Sequence, residues 1–142
     1  MRSFKIRLYP TKEQETLFKK HIGAERYIYN CGLALNNKLY KTKKEKYSIN
    51  DLGKMLTQYK KECLWLNEIS NATLKESIRN LDKAYTNFYK KRAELPKFKS
   101  KKHCRLSFYS RYDKLYFKDD IANLRCNFLI LFSSFIMLLV LM

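Results

Sequence analysis

Charge is divided very unevenly along this chain, and that division restricts how the chain can fold. Residues 1–126 contain all of the charged side chains, 30 Lys and Arg against 13 Asp and Glu, for a formal balance of +17. The segment Asn127–Met142 contains none. A charge this high opposes compaction and favours a polyanionic partner. We therefore divide the chain into a basic domain, residues 1–118, and a divergent apolar tail, residues 119–142.

Apolar spacing predicts about four helices in the basic domain. Thr11–Gln14 is a capping-box pattern that predicts the start of the first helix, and Gly23 is expected to separate it from a second helix over residues 24–40. Ser48 or Asn50 can cap the third helix, and Ser70 the fourth. The fourth helix has the most continuous apolar seam: Leu74, Ile78, Leu81, Tyr85 and Phe88.

Alternation of apolar and polar residues predicts short strands on both sides of these helices. Phe4–Tyr9 alternates before Pro10, and further alternating runs cover residues 106–110 and 115–117, with a turn between them. The Leu64-Trp65-Leu66 knot is expected to plug the core. The predicted fold class is α+β and mainly helical, with the first strand able to pair with the late ones.

The segment Lys90–Arg111 is the sharpest local signal of function. It holds nine basic residues against one acid, with aromatic residues between them. Phosphates bind cations spaced along a track, and unstacked bases bind aromatic faces. The alternative is a solvated charged loop beside core aromatic residues. The predicted nucleic-acid-binding residues here are Lys90, Lys91, Arg92, Lys97, Phe98, Lys99, Lys101, Lys102 and Arg105.

A second basic face is predicted on the fourth helix, opposite its apolar seam. Its cations are Lys75, Arg79 and Lys83, followed by Lys90. Such a face can lie along a phosphate backbone, but it is equally typical of an ordinary solvated surface, because Glu76 and Asp82 dilute the charge. Asn30, Asn36 and Asn37 are of a type that reads adenine edges, although asparagines on a helix more often face water.

No residue pattern predicts catalysis or metal binding. A metal-dependent nuclease needs about three carboxylates that converge on two ions, whereas Asp119-Asp120 is the only adjacent acidic pair in the chain. His21 and His103 are far apart in sequence, and the four cysteines form no CxxC pair and are expected to be free thiols. We therefore predict no enzyme, no cofactor, no metal and no small-molecule substrate.

Five segments together resemble TnpB (OrfB) proteins of bacterial insertion sequences. They are Phe4–Glu15, Arg26–Asn30, the Leu64–Leu66 knot, Leu81–Phe88 and Pro96–Lys101. They occur in the order and spacing of that family, from residue 1 to about residue 118. In the family, this region is described as a transposase helix-turn-helix domain.

The resemblance implies a recognition part, with a helical insertion held between strands of a small, incomplete β-barrel. It also implies nucleic-acid contact at the basic loop 97–102, at Arg26 and at Lys38. Full-length members are RNA-guided DNA nucleases, whose RuvC-type acidic site and zinc ribbon would lie beyond the end of this chain. The expected function is that of a non-catalytic, cytoplasmic fragment of a TnpB-like transposase that binds DNA, structured RNA or both.

The resemblance fails near Asp119, where the composition also changes. A frameshifted or truncated insertion-sequence remnant explains both changes at once. The alternative is a small basic membrane-associated protein, anchored by Phe128–Met142. A helix over this stretch, at about 1.5 Å per residue, falls short of the roughly 30 Å hydrocarbon core.

Overall fold

A computed structural model gives the fold. It describes residues 9–43, 45–103 and 106–110, together with the backbone of three later strands. The helical elements are α1 (Lys12–Lys43), α2 (Ile49–Glu62), a 3-10 helix (Leu64–Glu68) and α3 (Asn71–Tyr89). The strands are β1 (Tyr112–Lys118), β2 (Ile121–Cys126) and β3 (Phe135–Leu138), paired antiparallel in that order.

Helix α1 is one continuous helix where the sequence predicted two. The predicted capping box is present at its start, since the Thr11 N–H donates to Gln14 Oε1 over 2.9 Å and the Gln14 N–H donates to Thr11 Oγ1 over 3.3 Å. The predicted break at Gly23 is wrong. A helical glycine costs only about 1 kcal/mol relative to alanine, and the buried residues His21 and Ala24 on either side hold the helix in the core.

Helices α1 and α3 run parallel to each other. The Ser77 hydroxyl donates to the carbonyl of Glu25 over 2.7 Å, and further along both helices the Tyr85 hydroxyl donates to Asn37 Oδ1 over 2.9 Å. The seam predicted for the fourth helix is confirmed, because its first four members are buried in α3. The core consists of Ala24, Ile28, Tyr29, Leu33, Leu52, Leu56, Leu66, Ile69, Leu74, Ile78, Leu81 and Tyr85.

The start of α2 and the start of α3 are fixed in different ways. Ser48 caps α2 in a capping box with Asp51, which settles the choice between Ser48 and Asn50. Ser70 stands at the N-cap of α3 without a side-chain cap, but its N–H donates to Nε2 of His21 over 3.3 Å. The other ring nitrogen, Nδ1, lies 2.9 Å from the carbonyl of Leu17. Burial lowers the pKa of His21, so the neutral ring ties α1 to α3.

The predicted α+β class with a small β-barrel is wrong. In the part of the chain whose burial is described, every buried core residue belongs to a helix or to the Ile69 junction between helices, so the packed body there is helical. The later strands pair as a three-stranded antiparallel sheet in the order β1-β2-β3, with no barrel among the described strands. Helix-on-helix packing buries the apolar seams of the described body. The predicted first strand falls on residues 4–8, which lie outside the described residues.

The predicted strand at residues 106–110 is also absent from the structure, which gives these residues no strand. The Phe108 ring packs on Phe18 and His21, with centroid distances of 5.6 and 5.3 Å. The hydroxyl of Thr73 donates to the carbonyl of Tyr109 over 2.7 Å. Alternation here therefore reflects a segment that lies across α1 and α3, with one face against the helices.

Within the described part of the chain, no helix is both long enough and apolar enough to cross a membrane. The predicted anchor Phe128–Met142 lies mostly outside the described residues. Its described part, Phe135–Leu138, is the strand β3.

Helices α1 and α3 are in close contact at Gly32. A Cβ at this position would lie 2.7 Å from Cδ2 of Leu81, which is 1% exposed in the core. A Cβ at Gly53, in α2, would have no atom within 4 Å. The two glycines therefore separate the steric effect of an added methyl group from its effect on helix propensity.

We predict opposite effects for alanine at these two glycines. Gly53→Ala should raise the free energy of unfolding by about 1 kcal/mol, because alanine is the better helix former. The free energy of unfolding of Gly32→Ala should be about 1–3 kcal/mol lower than that of Gly53→Ala, because the added methyl group overpacks the core. Chemical denaturation measures both. Equal stabilisation by the two variants would show that the helices are not in close contact at Gly32.

Candidate nucleic-acid interface

The basic loop predicted from the sequence is held against α1. The side-chain amide of Asn30 donates from Nδ2 to the carbonyl of Lys99 over 2.9 Å. Its Oδ1 accepts from the N–H of Lys99, also over 2.9 Å. One asparagine thereby satisfies both backbone groups of Lys99. We call residues 97–103 the basic strap, because this pair of bonds fixes it on the helix.

Lys99 faces inward from the strap. Its Nζ lies 4.2 Å from the ring centroid of Tyr29 and 3.9 Å from Oε1 of Glu25. Burial raises the pKa of Glu25, against an opposing effect of the Lys99 charge. Among the described residues, Oε2 of Glu25 is buried without a hydrogen-bond partner. Lys99 therefore compensates a buried carboxylate, and of the predicted strap cations it is the least suited to a phosphate.

The other strap residues point outward. Lys97 pairs with Glu94 over 2.8 Å, and both side chains are more than 80% exposed. Lys101 and Lys102 are exposed and have no ion-pair partner among residues 9–43, 45–103 and 106–110. Phe98 is 59% exposed, so it is not a core residue. It lines a cavity of about 460 Å³ together with Arg26 of α1.

The basic face of α3 is exposed as predicted but partly neutralised. Lys75, Arg79 and Lys83 all lie on the surface. Arg79 and Lys83 both pair with Glu76, over 3.2 and 3.8 Å. The Glu76 charge also contributes to the raised pKa of Glu25.

A third group of predicted cations lies at the far ends of α1 and α3. Lys90, Lys91 and Arg92 follow the last turn of α3, and Lys91 adopts a positive φ of 55°. The Phe88 ring packs on that of Tyr40 at 5.9 Å, which places these cations near the C-terminal end of α1. Lys38 is exposed on the same stretch of α1. Arg105 lies outside the described residues.

The structure also shows a groove that the sequence did not predict. It has a volume of about 790 Å³ and lies between α1 and the 3-10 helix. Tyr27 and Trp65 line it, with ring centroids 5.4 Å apart in an edge-to-face arrangement. Arg26 lines both this groove and the cavity beside the strap, so the two are contiguous. The remaining lining residues include Lys19, Lys20, Gly23, Ala24, Asn30 and Glu68.

The exposure of Trp65 corrects the prediction that the Leu64–Leu66 knot plugs the core. Leu66 is fully buried, but Leu64 is 74% exposed and Trp65 is 44% exposed. The tight turn of a 3-10 helix directs only one of three successive side chains inward. No alternation or helical spacing in the sequence marks Trp65 as a surface residue.

The three asparagines of α1 have internal partners. Besides Asn30, the Oδ1 of Asn36 accepts from the N–H of Tyr47 over 2.8 Å, and Asn37 accepts from Tyr85. Asn36 is 1% exposed. Neither reading of adenine edges nor exposure to water describes these side chains, because each one anchors another segment to α1.

Metal-ligand side chains do not gather in the described part of the chain: it has no group of three His, Cys, Asp or Glu placed to hold an ion. Cys31 and Cys63 are free thiols. They lie beside the Tyr27 hydroxyl, and the charge on Cys31 is the leading cause that raises the pKa of Tyr27 to about 12.

Comparison with known proteins finds a match at the N-terminus. Residues 1–45 match the helix-turn-helix domain of the OrfB proteins of IS605-type insertion sequences. This match confirms the resemblance of the N-terminal region to that of the TnpB/OrfB transposase family. Within the matched segment, residues 12–43 form the single helix α1, so its described part contains no turn between two helices.

Individual relatives extend the similarity beyond that segment. A candidate RNA-guided DNA endonuclease of Streptomyces pristinaespiralis is 34% identical over 108 residues, which cover 75% of this chain and 27% of the relative. The candidate RNA-guided DNA endonuclease InsQ of Escherichia coli K12 is 30% identical over 103 residues, 71% of this chain and 26% of InsQ. This chain thus spans about a quarter of the length of both relatives.

A third relative is of a different size. The virulence protein VsdF of Salmonella dublin is 28% identical over 116 residues, which cover 71% of this chain and 94% of VsdF. Nearly the whole length of VsdF is therefore similar to part of this chain.

We predict that Asn30→Ala releases the strap. The substitution leaves the N–H and carbonyl of Lys99 without their partner, which should destabilise the docked strap by about 1–3 kcal/mol. Trypsin should then cut after the strap lysines several-fold faster than in the wild type. Asn67→Ala is the matched control, because exposed Asn67 makes only one hydrogen bond, of 3.3 Å, to the carbonyl of Lys60. If both variants are cut at the wild-type rate, Asn30 does not hold the strap.

Proposed function

We propose that this chain binds nucleic acid through phosphate contacts at the basic strap and Arg26. The observation that carries this proposal is the docking of the strap by Asn30, since it presents cations from a fixed backbone. Lys101 and Lys102 project from that backbone without a paired carboxylate in the described part of the chain. Cations held in place lose less freedom on binding than cations on a free loop.

The family supports the same reading. Two relatives are named for RNA-guided action on DNA, and the chain matches their N-terminal quarter. We propose that residues 1–118 act as a recognition domain for DNA, structured RNA or both, without nuclease activity of their own, in the cytoplasm. The basic residues of α3 and those at its C-terminal end extend the proposed track along the α1–α3 pair.

The mode of binding that we propose is insensitive to base sequence. A lysine ammonium is a point charge that suits phosphate oxygens and does not discriminate between base edges. The described part of the matched segment is the single helix α1, with no turn between two helices of the kind that enters a major groove. Affinity should therefore depend strongly on salt and weakly on sequence.

We predict that Lys101→Gln/Lys102→Gln weakens binding to duplex and single-stranded oligonucleotides alike. Each lost phosphate contact should reduce the slope of log K against log salt by about 0.9 on duplex DNA and about 0.7 on single strands. The double variant should therefore change the duplex slope by roughly 2 units. Lys99→Gln should change the slope less, because Lys99 is engaged with Glu25 and Tyr29.

Lys60→Gln/Lys61→Gln is the matched control, since it removes the same charge from the end of α2. Its slope should stay within error of the wild type. Oligonucleotides recovered after incubation with Mg²⁺ should be uncut in every sample. Equal slopes for the wild type and the strap variant would contradict the strap as the site of phosphate contact.

A further inference from the structure

We propose that the groove between α1 and the 3-10 helix binds an unpaired nucleobase, so that the ligand of this chain includes a single-stranded segment. The inference rests on the proposed function in taking nucleic acid as the ligand, but it concerns a different set of residues. The groove has a volume of about 790 Å³, which lies within the range of about 300–1,000 Å³ that is usual for ligand sites.

Two aromatic rings supply the stacking surface. Tyr27 is 39% exposed and Trp65 is 44% exposed, and both line the groove. Their edge-to-face contact at 5.4 Å fixes the orientation of the indole. Aromatic rings with this much exposed surface offer a stacking face, and bases stack on such rings whatever their sequence.

The charge around the rings selects a polyanion over an apolar partner. Lys19, Lys20 and Arg26 line the groove; Lys19 pairs with Glu15 over 2.6 Å and Lys20 pairs with Glu68 over 3.2 Å, which leaves the Arg26 charge for a ligand. Arg26 has no ion-pair partner among the described residues and stands between the groove and the strap. A strand whose phosphates follow the strap would therefore pass Arg26 and bring its next bases to the two rings.

The floor of the groove is open at Gly23. A Cβ at this position would have no atom within 4 Å, although Gly23 lies in the middle of α1. A bulky residue there would project into the groove beside the two rings and favour the helix, since glycine is a poor helix former. This allows the groove to be blocked without destabilising the fold.

Trp65 is the only tryptophan, so its fluorescence reports directly on the groove. In the full chain, a single-stranded oligothymidine should quench Trp65 emission on binding, because a base stacks on the indole. An abasic strand of equal length, with the same phosphates, should bind without this quenching. A fully paired duplex should likewise leave the emission unchanged. Binding of oligothymidine with no change in emission would overturn the proposal.

Gly23→Leu and Gly53→Leu form the matched pair of variants. Gly23→Leu should abolish the quenching and lower single-strand affinity roughly 5- to 150-fold, the usual effect of one stacked base, with duplex affinity unchanged. Gly53→Leu should bind and quench like the wild type. Quenching retained in Gly23→Leu, or duplex affinity lost equally, would overturn the groove assignment. In that case a reduced salt slope in Lys101→Gln/Lys102→Gln would still support the proposed function. Failure of the groove assignment can therefore be distinguished from failure of the proposed function.

Discussion

The close contact between Gly32 of α1 and Leu81 of α3 is the constraint on which the rest of the structure depends. Because α1 has no side chain at this point, the two helices can approach closely. The hydrogen bonds between them show that they run parallel. Parallel helices need a long return connection, which α2 and the 3-10 helix supply. That connection places Trp65 beside the middle of α1, where the groove forms. The groove is thus a consequence of the way the core closes.

The surface charge depends on the same arrangement. After α3 ends, the chain returns along α1: Lys99 lies at Asn30, and Phe108 lies at Phe18 and His21. This return path carries the cations onto the helix pair and leaves one buried carboxylate, Glu25, opposite one of them. The strap lysines are therefore not equivalent. One of them stabilises the fold, and the exposed ones next to it remain for a ligand.

Much of the helical body could be predicted from the sequence, because long runs of apolar residues spaced three and four apart are compatible with few structures other than an amphipathic helix. The capping box at Thr11 is a set of local hydrogen bonds and could be predicted from the sequence, whereas the cap of α2 was left open between Ser48 and Asn50. Gly23 was misleading, since its small helix penalty is outweighed by packing that no local window contains. The alternation at residues 106–110 was misleading too, because Phe108 packs against the helices in a segment that crosses them without pairing as a strand, while Leu106 is exposed.

The candidate site was only partly predictable. The excess of cations in the strap is visible in the sequence, but their separation into paired and unpaired lysines depends on Glu25 and Glu94. The asparagines of α1 differ in the same way, since their partners lie from 11 to 69 residues away. Tyr27 and Trp65 meet only because the 3-10 helix turns the indole outward. No spacing rule links residues on two separate elements.

The central claim is that the strap, Arg26 and the groove form one continuous nucleic-acid surface on α1. Photo-crosslinking of the full chain to single strands that contain 4-thiothymidine, followed by mass spectrometry of the peptides, tests it most directly. Our account predicts crosslinks to the α1 peptide that contains Tyr27 and to peptides from the strap, on the same strand. Crosslinks confined to the outer face of α2, or spread evenly over all basic peptides, would contradict it.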